Sequence, residues 1–233
     1  MKKNIKTILI AFTLISVLSA GSIIAAFTDA DSAVNKFIVG DVSIDIVEEH
    51  WDSDAATNII PRQEFAKDPK IVNIGNNDAY VFLEVEVPYA KVTVPDQHGV
   101  IPQNPEWTEL FYYDVDTVNW IEMTGDIDGV TYPIIDQQNG KLTHLYAYGS
   151  DTEMTVLEKG NKETSTLFDY IKLANIVEDD DLEGTELEVL IKAYGIQTLN
   201  VNDEKDNIDG INSDGKNSPN DVWKILSNQR VLT

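Results

Sequence analysis

Three histidines, His50, His98 and His144, are the side chains best suited to metal or proton chemistry near neutral pH. None stands in a His-Glu-x-x-His arrangement, the spacing that sets two imidazoles and a general base around one zinc ion. His50 follows Glu48 and Glu49 and reads as an exposed loop histidine, whereas His144 shares one face of a strand-like run with Tyr146 and Tyr148. With no cysteine in 233 residues, thiolate metal sites, disulfides and cysteine nucleophiles are excluded. There is no Gly-x-Ser-x-Gly turn to expose a serine nucleophile. The pairs Asp114 with Asp116 and Asp126 with Asp128 offer the two carboxylates that glycoside hydrolysis needs. A chain with 40 acidic residues places such pairs close by chance, and they read as solvated turns.

The most metal-like run is Asn212-Ser213-Asp214-Gly215 with Asp221 downstream, which fits positions three, five, six and twelve of a helix-flanked calcium loop. Position one falls on Gly210, which has no carboxylate to give. Asn212, Asp214 and Asp221 are therefore weak calcium candidates at most. Otherwise the residues call for no cofactor.

The elements that would position these groups are short and extended. Val42, Ile44 and Ile46 alternate with Ser43 and Asp45, the period of two of a half-buried strand. Residues 71–73 and 79–88, separated by Gly75-Asn76-Asn77-Asp78, read as a hairpin. In the second run Val81, Leu83, Val85 and Val87 share one face and Tyr80, Phe82, Glu84 and Glu86 the other. The start of this strand should be covered on both sides and its end on one. Residues 90–104 read as irregular, with Pro95, Gly99 and Pro102 too close for a long element. Residues 107–115 and 118–123 suggest a second hairpin about Asp116-Thr117, and further strands are expected at 141–148, 152–157, 164–173 and 186–197. Residues 200–217, rich in Asn, Asp and Gly, read as a polar linker or loop. At 218–228 Ser218 can cap and Pro219 can open a short helix with an apolar stripe of Val222, Trp223, Ile225 and Leu226. The expected fold is all-β: an antiparallel β-sandwich of jelly-roll type over residues 26–199, followed by a short C-terminal helix.

At the start of the chain three lysines precede 22 uncharged residues, 7–28, as in a secretory signal. The small residues Ala25 and Ala26 suit a peptidase, and cleavage after Ala25 makes 1–25 the signal peptide. The competing reading is an uncleaved anchor, which Ser19-Ala20-Gly21-Ser22 weakens. Loss of the three signal lysines leaves 14 basic residues against 40 acids, a net charge of −26. Such a field repels phosphate backbones, so nucleic acid is not an expected partner.

Ala25-Ala26-Phe27-Thr28-Asp29 after a lysine-led apolar segment, then Asn35-Lys36-Phe37-Ile38-Val39-Gly40-Asp41-Val42, resembles the start of the TasA and camelysin family. The likeness continues through Lys67-Asp68-Pro69-Lys70-Ile71-Val72-Asn73-Ile74-Gly75, Asn77-Asp78-Ala79-Tyr80-Val81-Phe82-Leu83, Ile191-Lys192-Ala193-Tyr194-Gly195-Ile196-Gln197 and Asp221-Val222-Trp223. It implies a bacterial exported protein, processed by a SipW-type signal peptidase, with a jelly-roll sandwich at the cell surface or in the biofilm matrix. TasA-like members form fibres, which implies the chain itself and other matrix or surface components as partners. Camelysin-like members are described as metalloendopeptidases, and only that alternative would bring in zinc; no catalytic residues transfer. Under the structural reading the freed segment 26–37, with Phe27, Val34 and Phe37, is the expected assembly element, adding as a strand to an open sheet edge.

Overall fold

In the run that begins at Ala79, the odd positions Val81, Leu83, Val85 and Val87 and the even positions Tyr80 and Phe82 are all buried. Two interleaved apolar sets need cover on both faces, which makes this strand the centre of the molecule. The computed structural model describes residues 42–52, 56, 59–177, 182, 185–198 and 217–231. Their strands are β1 (Ile44–Val47), β2 (Glu64–Ala66), β3 (Lys70–Asn73), β4 (Ala79–Val92), β5 (Glu106–Glu109), β6 (Phe111–Tyr112) and β7 (Trp120–Met123). There follow β8 (Gly125–Ile127), β9 (Val130–Tyr132), β10 (Ile134–Asp136), β11 (Lys141–Tyr148), β12 (Lys162–Glu163), β13 (Tyr170–Leu173), β14 (Leu190–Gln197) and the helix α1 (Pro219–Val231).

All strand pairs are antiparallel. The main sheet runs β10-β11-β4-β14, with β5 on the far end of β4 and β7 on β11. Two smaller sheets, β1-β3-β12 and β2-β13-β6, and the hairpin β8-β9 complete the pairing. One apolar cluster joins the odd face of β4 to Ile44, Ile71, Leu110, Trp120 and Phe168. The other joins Tyr80 and Phe82 to Tyr132, Tyr194 and the α1 residues Val222, Trp223 and Leu226. The architecture is thus mostly β with one C-terminal helix, as the alternation and the apolar stripe predicted.

The helix begins where expected. Ser218 Oγ accepts from Asp221 N at 3.3 Å and donates to Asp221 Oδ2 at 2.6 Å, a reciprocal cap on the first turn. Trp223 then meets Phe82, Tyr194 and Tyr132 edge-on, at centroid distances of 5.0, 5.5 and 6.3 Å. On the same face Glu84 is buried but satisfied, accepting from Lys192 Nζ at 2.8 Å and Tyr194 Oη at 3.3 Å.

Where the described residues begin, Val42 and Ile44 lie across β14. A Cβ on Gly195 would stand 3.1 Å from Ile44 Cδ1 and 3.2 Å from Val42 Cγ1, so the bare backbone of Gly195 is what lets β1 come this close.

Several sequence expectations are corrected. β3 and β4 do not form a hairpin; they enter different sheets. The turn between them is held by Asn73, whose amide donates to Asn77 O and Leu157 O while its Oδ1 accepts from Gly75 N. Those bonds redirect the chain where a two-strand ladder would have continued it. The second expected hairpin also separates: β5 pairs β4, β6 pairs β13 and β7 pairs β11. Here Asp116 turns the chain by accepting from Val118 N, Asn119 N and Trp120 N. β4 runs through Pro88 to Val92 because β5 lies alongside, so part of the expected irregular stretch is strand. Residues 152–157 make only isolated bridges, Gly149 with Met154 and Ala79 with Leu157. Gly149 has φ of 147°, and a Cβ there would sit 2.4 Å from Glu153 O.

Candidate functional site

β1 and β3 pair with Val47 opposite Lys70. Antiparallel register then sets the residues after β1 beside those before β3, so Glu48, Glu49 and His50 meet Lys67 and Asp68. Asp68 Oδ1 accepts from the backbone N–H of His50 at 3.0 Å, and Oδ2 lies 2.7 Å from His50 Nδ1. Asp68 has 9% of its side chain exposed and His50 has 70%. Burial alone would raise the Asp68 pKa, but the bonds from His50 outweigh it and hold the carboxyl below its ordinary value. His50 is raised in turn, chiefly by its hydrogen bond to Asp68.

Around this pair the charges alternate. Lys67 Nζ lies 2.8 Å from Glu48 Oε1 and sits over the Trp51 ring, 4.5 Å from its centroid. Lys70 Nζ bridges Glu49 at 2.9 Å and Glu163 at 2.7 Å, and these bonds, that to Glu163 first, hold its pKa above the usual lysine range. One donor atom from each of Glu49, His50 and Asp68 can be chosen so that all lie within 4.8 Å of one another.

A second cluster gathers about His144. It lies on β11 with Tyr146 and Tyr148 on its face, as the alternation indicates. Glu122 of β7 stands opposite Tyr146, one position diagonal from His144, and β5 brings Glu109 from the other side. Glu122 Oε1 is 2.7 Å from His144 Nδ1, and Glu109 Oε1 is 3.4 Å from Nε2, an ion-pair contact too long for a good hydrogen bond. Nε2 is buried and has no hydrogen-bond partner. Burial is the largest influence and disfavours the charged ring, yet Glu109 and Glu122 together overcome it and raise the pKa to about 9. Beneath the ring the Tyr113 and Tyr146 hydroxyls lie 3.0 Å apart, and burial pushes both far up, so both stay neutral. Since the two carboxylates address different ring nitrogens, the group works as a charged clasp between β5, β7 and β11 rather than as ligands to one ion.

The other sequence candidates are engaged in local structure. His98 is exposed, 3.9 Å from Asp96. Asp114 accepts from Tyr170 Oη at 2.8 Å, Asp126 from Gly129 N at 3.2 Å and Asp128 from Ser227 Oγ at 3.2 Å. Asp221 caps α1, and its calcium-run companions Asn212 and Asp214 lie outside the described residues, as do Ala25, Ala26, Phe27, Val34 and Phe37. Among the described residues no helix is long and apolar enough to cross a membrane.

Sequence reasoning missed Asp68, Glu109, Glu122 and Tyr113. Each reaches its histidine through strand register, and the sole advance signal was the alternation that put His144 on the face of Tyr146. No protein-family model, curated protein or solved structure matches the chain.

Proposed function

We propose that the chain is a secreted structural protein of the bacterial surface or biofilm matrix, with a jelly-roll-type sandwich that assembles by lending residues 26–37 as a strand to a neighbouring copy. The observation supporting this is the seat of Val42 and Ile44 on Gly195. Val42, the first described residue, lies across β14, which has β4 on one side and no strand on the other among the described residues. Such a sheet edge can take an added strand, where main-chain bonds give affinity and alternate side chains give register. Burying Phe27 and Phe37 would contribute about 1.5–3 kcal/mol each before the cost of ordering. The net charge of −26 for the processed chain opposes assembly, so acid or divalent cations should promote it.

The test is light scattering across pH and calcium concentration on chains starting at Ala26 and at Asn35. Assembly by the longer chain alone is expected, and equal assembly by both would eliminate strand donation. Casein digestion with and without chelator addresses the peptidase alternative: chelator-sensitive cleavage that follows the monomer through purification would overturn the structural role. Mature N-terminal sequencing should find Ala26 first, and replacing Ala25 with a bulky charged residue should block processing.

A further inference from the structure

We propose that Glu49, His50 and Asp68 form a binding site for a first-row divalent metal ion of the zinc type. One imidazole with two carboxylates is a donor set that zinc accepts, whereas calcium asks for six to eight oxygens. The three donor atoms already lie within 4.8 Å of one another. Tetrahedral bonds of about 2.1 Å set donors about 3.4 Å apart, so the 2.7 Å His50–Asp68 contact opens on binding while Glu49 closes in from within the 4.8 Å limit. The exposed side chain of Glu49 can supply that movement.

The buried member is already oriented. Asp68 is nine-tenths buried, and the His50 backbone N–H holds its Oδ1, leaving Oδ2 directed at Nδ1. A ligating carboxylate fixed by a hydrogen bond to its other oxygen is the arrangement that outer-sphere partners provide in metal sites. The ring of His50 is mostly exposed, so water can fill the remaining positions.

Charge gives an independent reason. Four carboxylates meet here, Glu48, Glu49, Asp68 and Glu163, against the ammonium groups of Lys67 and Lys70. With a neutral ring, two negative charges are left over. A proton on His50 offsets one of them; a divalent ion offsets both and displaces that proton to solvent. Lys70 gives up part of its hold on Glu49 but keeps Glu163.

The experiment titrates the untagged full chain, held in mild detergent, with Zn²⁺ by calorimetry and with Co²⁺ by visible absorption. One ion per chain is expected, with affinity falling by at least the roughly tenfold that loss of even an outer-sphere partner causes when His50→Gln is introduced. His98→Gln should bind as the unaltered chain does. His50 is exposed, so its substitution leaves the fold in place; Asp68→Asn, checked by circular dichroism, should also lose the site. Absence of saturable binding, or equal binding by the His50→Gln chain, would overturn the proposal and reduce the corner to a set of surface ion pairs.

Discussion

His50 with Asp68 and His144 with Glu122 are the same contact by distance, 2.7 Å from Nδ1 to a carboxylate oxygen, and they differ in nearly everything else. The His50 side chain is 70% exposed and sits in a turn, while that of His144 is 13% exposed on a central strand beside the buried Tyr146 and the half-buried Tyr113. In water-like surroundings a pair at such range is worth little and its proton exchanges freely, but in a poorly solvated site the same charges attract several-fold more strongly. Each of these histidines also meets a second acid, but in a different way. Glu109 and Glu122 bracket the His144 ring from two nitrogens and need it charged, while Glu49 and Asp68 converge beside His50 with a lysine still bound to one of them. Burial and the direction of approach, rather than contact distance, make one site a clasp and the other a place where one cation can replace another.

The sharpest way to break that contrast is His144→Gln. It strands two glutamates without their cation and should cost about 2–3 kcal/mol in urea unfolding, less than a fully buried pair because Glu122 is 40% exposed. A loss below about half a kcal/mol would put the two sites in one class. Alkali should act next. The pKa of His144 is raised in the folded chain from 6.5 to about 9, so its stabilisation is complete below 6.5 and is lost as pH rises through 9. The loss amounts to at most about 3 kcal/mol, and unfolding midpoints measured between pH 6 and 10 should show it. The His144→Gln chain should have a flatter profile over the same window, which separates this titration from the general repulsion of an acidic chain. The smallest effect belongs to His50→Gln, which should leave the urea midpoint almost unmoved without added metal because the ring is open to solvent. A larger cost would mean that the exposed turn carries structural weight its solvation does not suggest.

What could be read in advance follows from which signals are local. The centre of the main sheet was legible because β4, β11 and β14 each carry long alternating runs, and α1 because Ser218, Pro219 and its apolar stripe act within one or two turns. The short strands β2, β8, β9, β10 and β12, of two or three residues each, were not, since so few residues carry no period. Two turns misled for a related reason: Gly75-Asn76-Asn77-Asp78 and Asp116-Thr117 read as turns between paired strands, and only the side-chain bonds of Asn73 and Asp116 reveal that the strands on either side part company. The sites were less legible still. His50 and Asp68 are 18 residues apart and His144 and Glu122 are 22, so their meeting depends on register between strands that no spacing announces.

β4 contributes Val81, Leu83 and Val85 to one apolar cluster and Tyr80 and Phe82 to the other, and it is bonded to β11 on one side and β14 on the other. Neither half of the molecule can therefore come apart around it alone. Its central amides should be the slowest to exchange with deuterium, opening only when the whole described fold opens, whereas those of the β8-β9 hairpin exchange early. β4 thus sets the longest timescale among the described residues, and the lifetime of its hydrogen bonds is the lifetime of the fold they make.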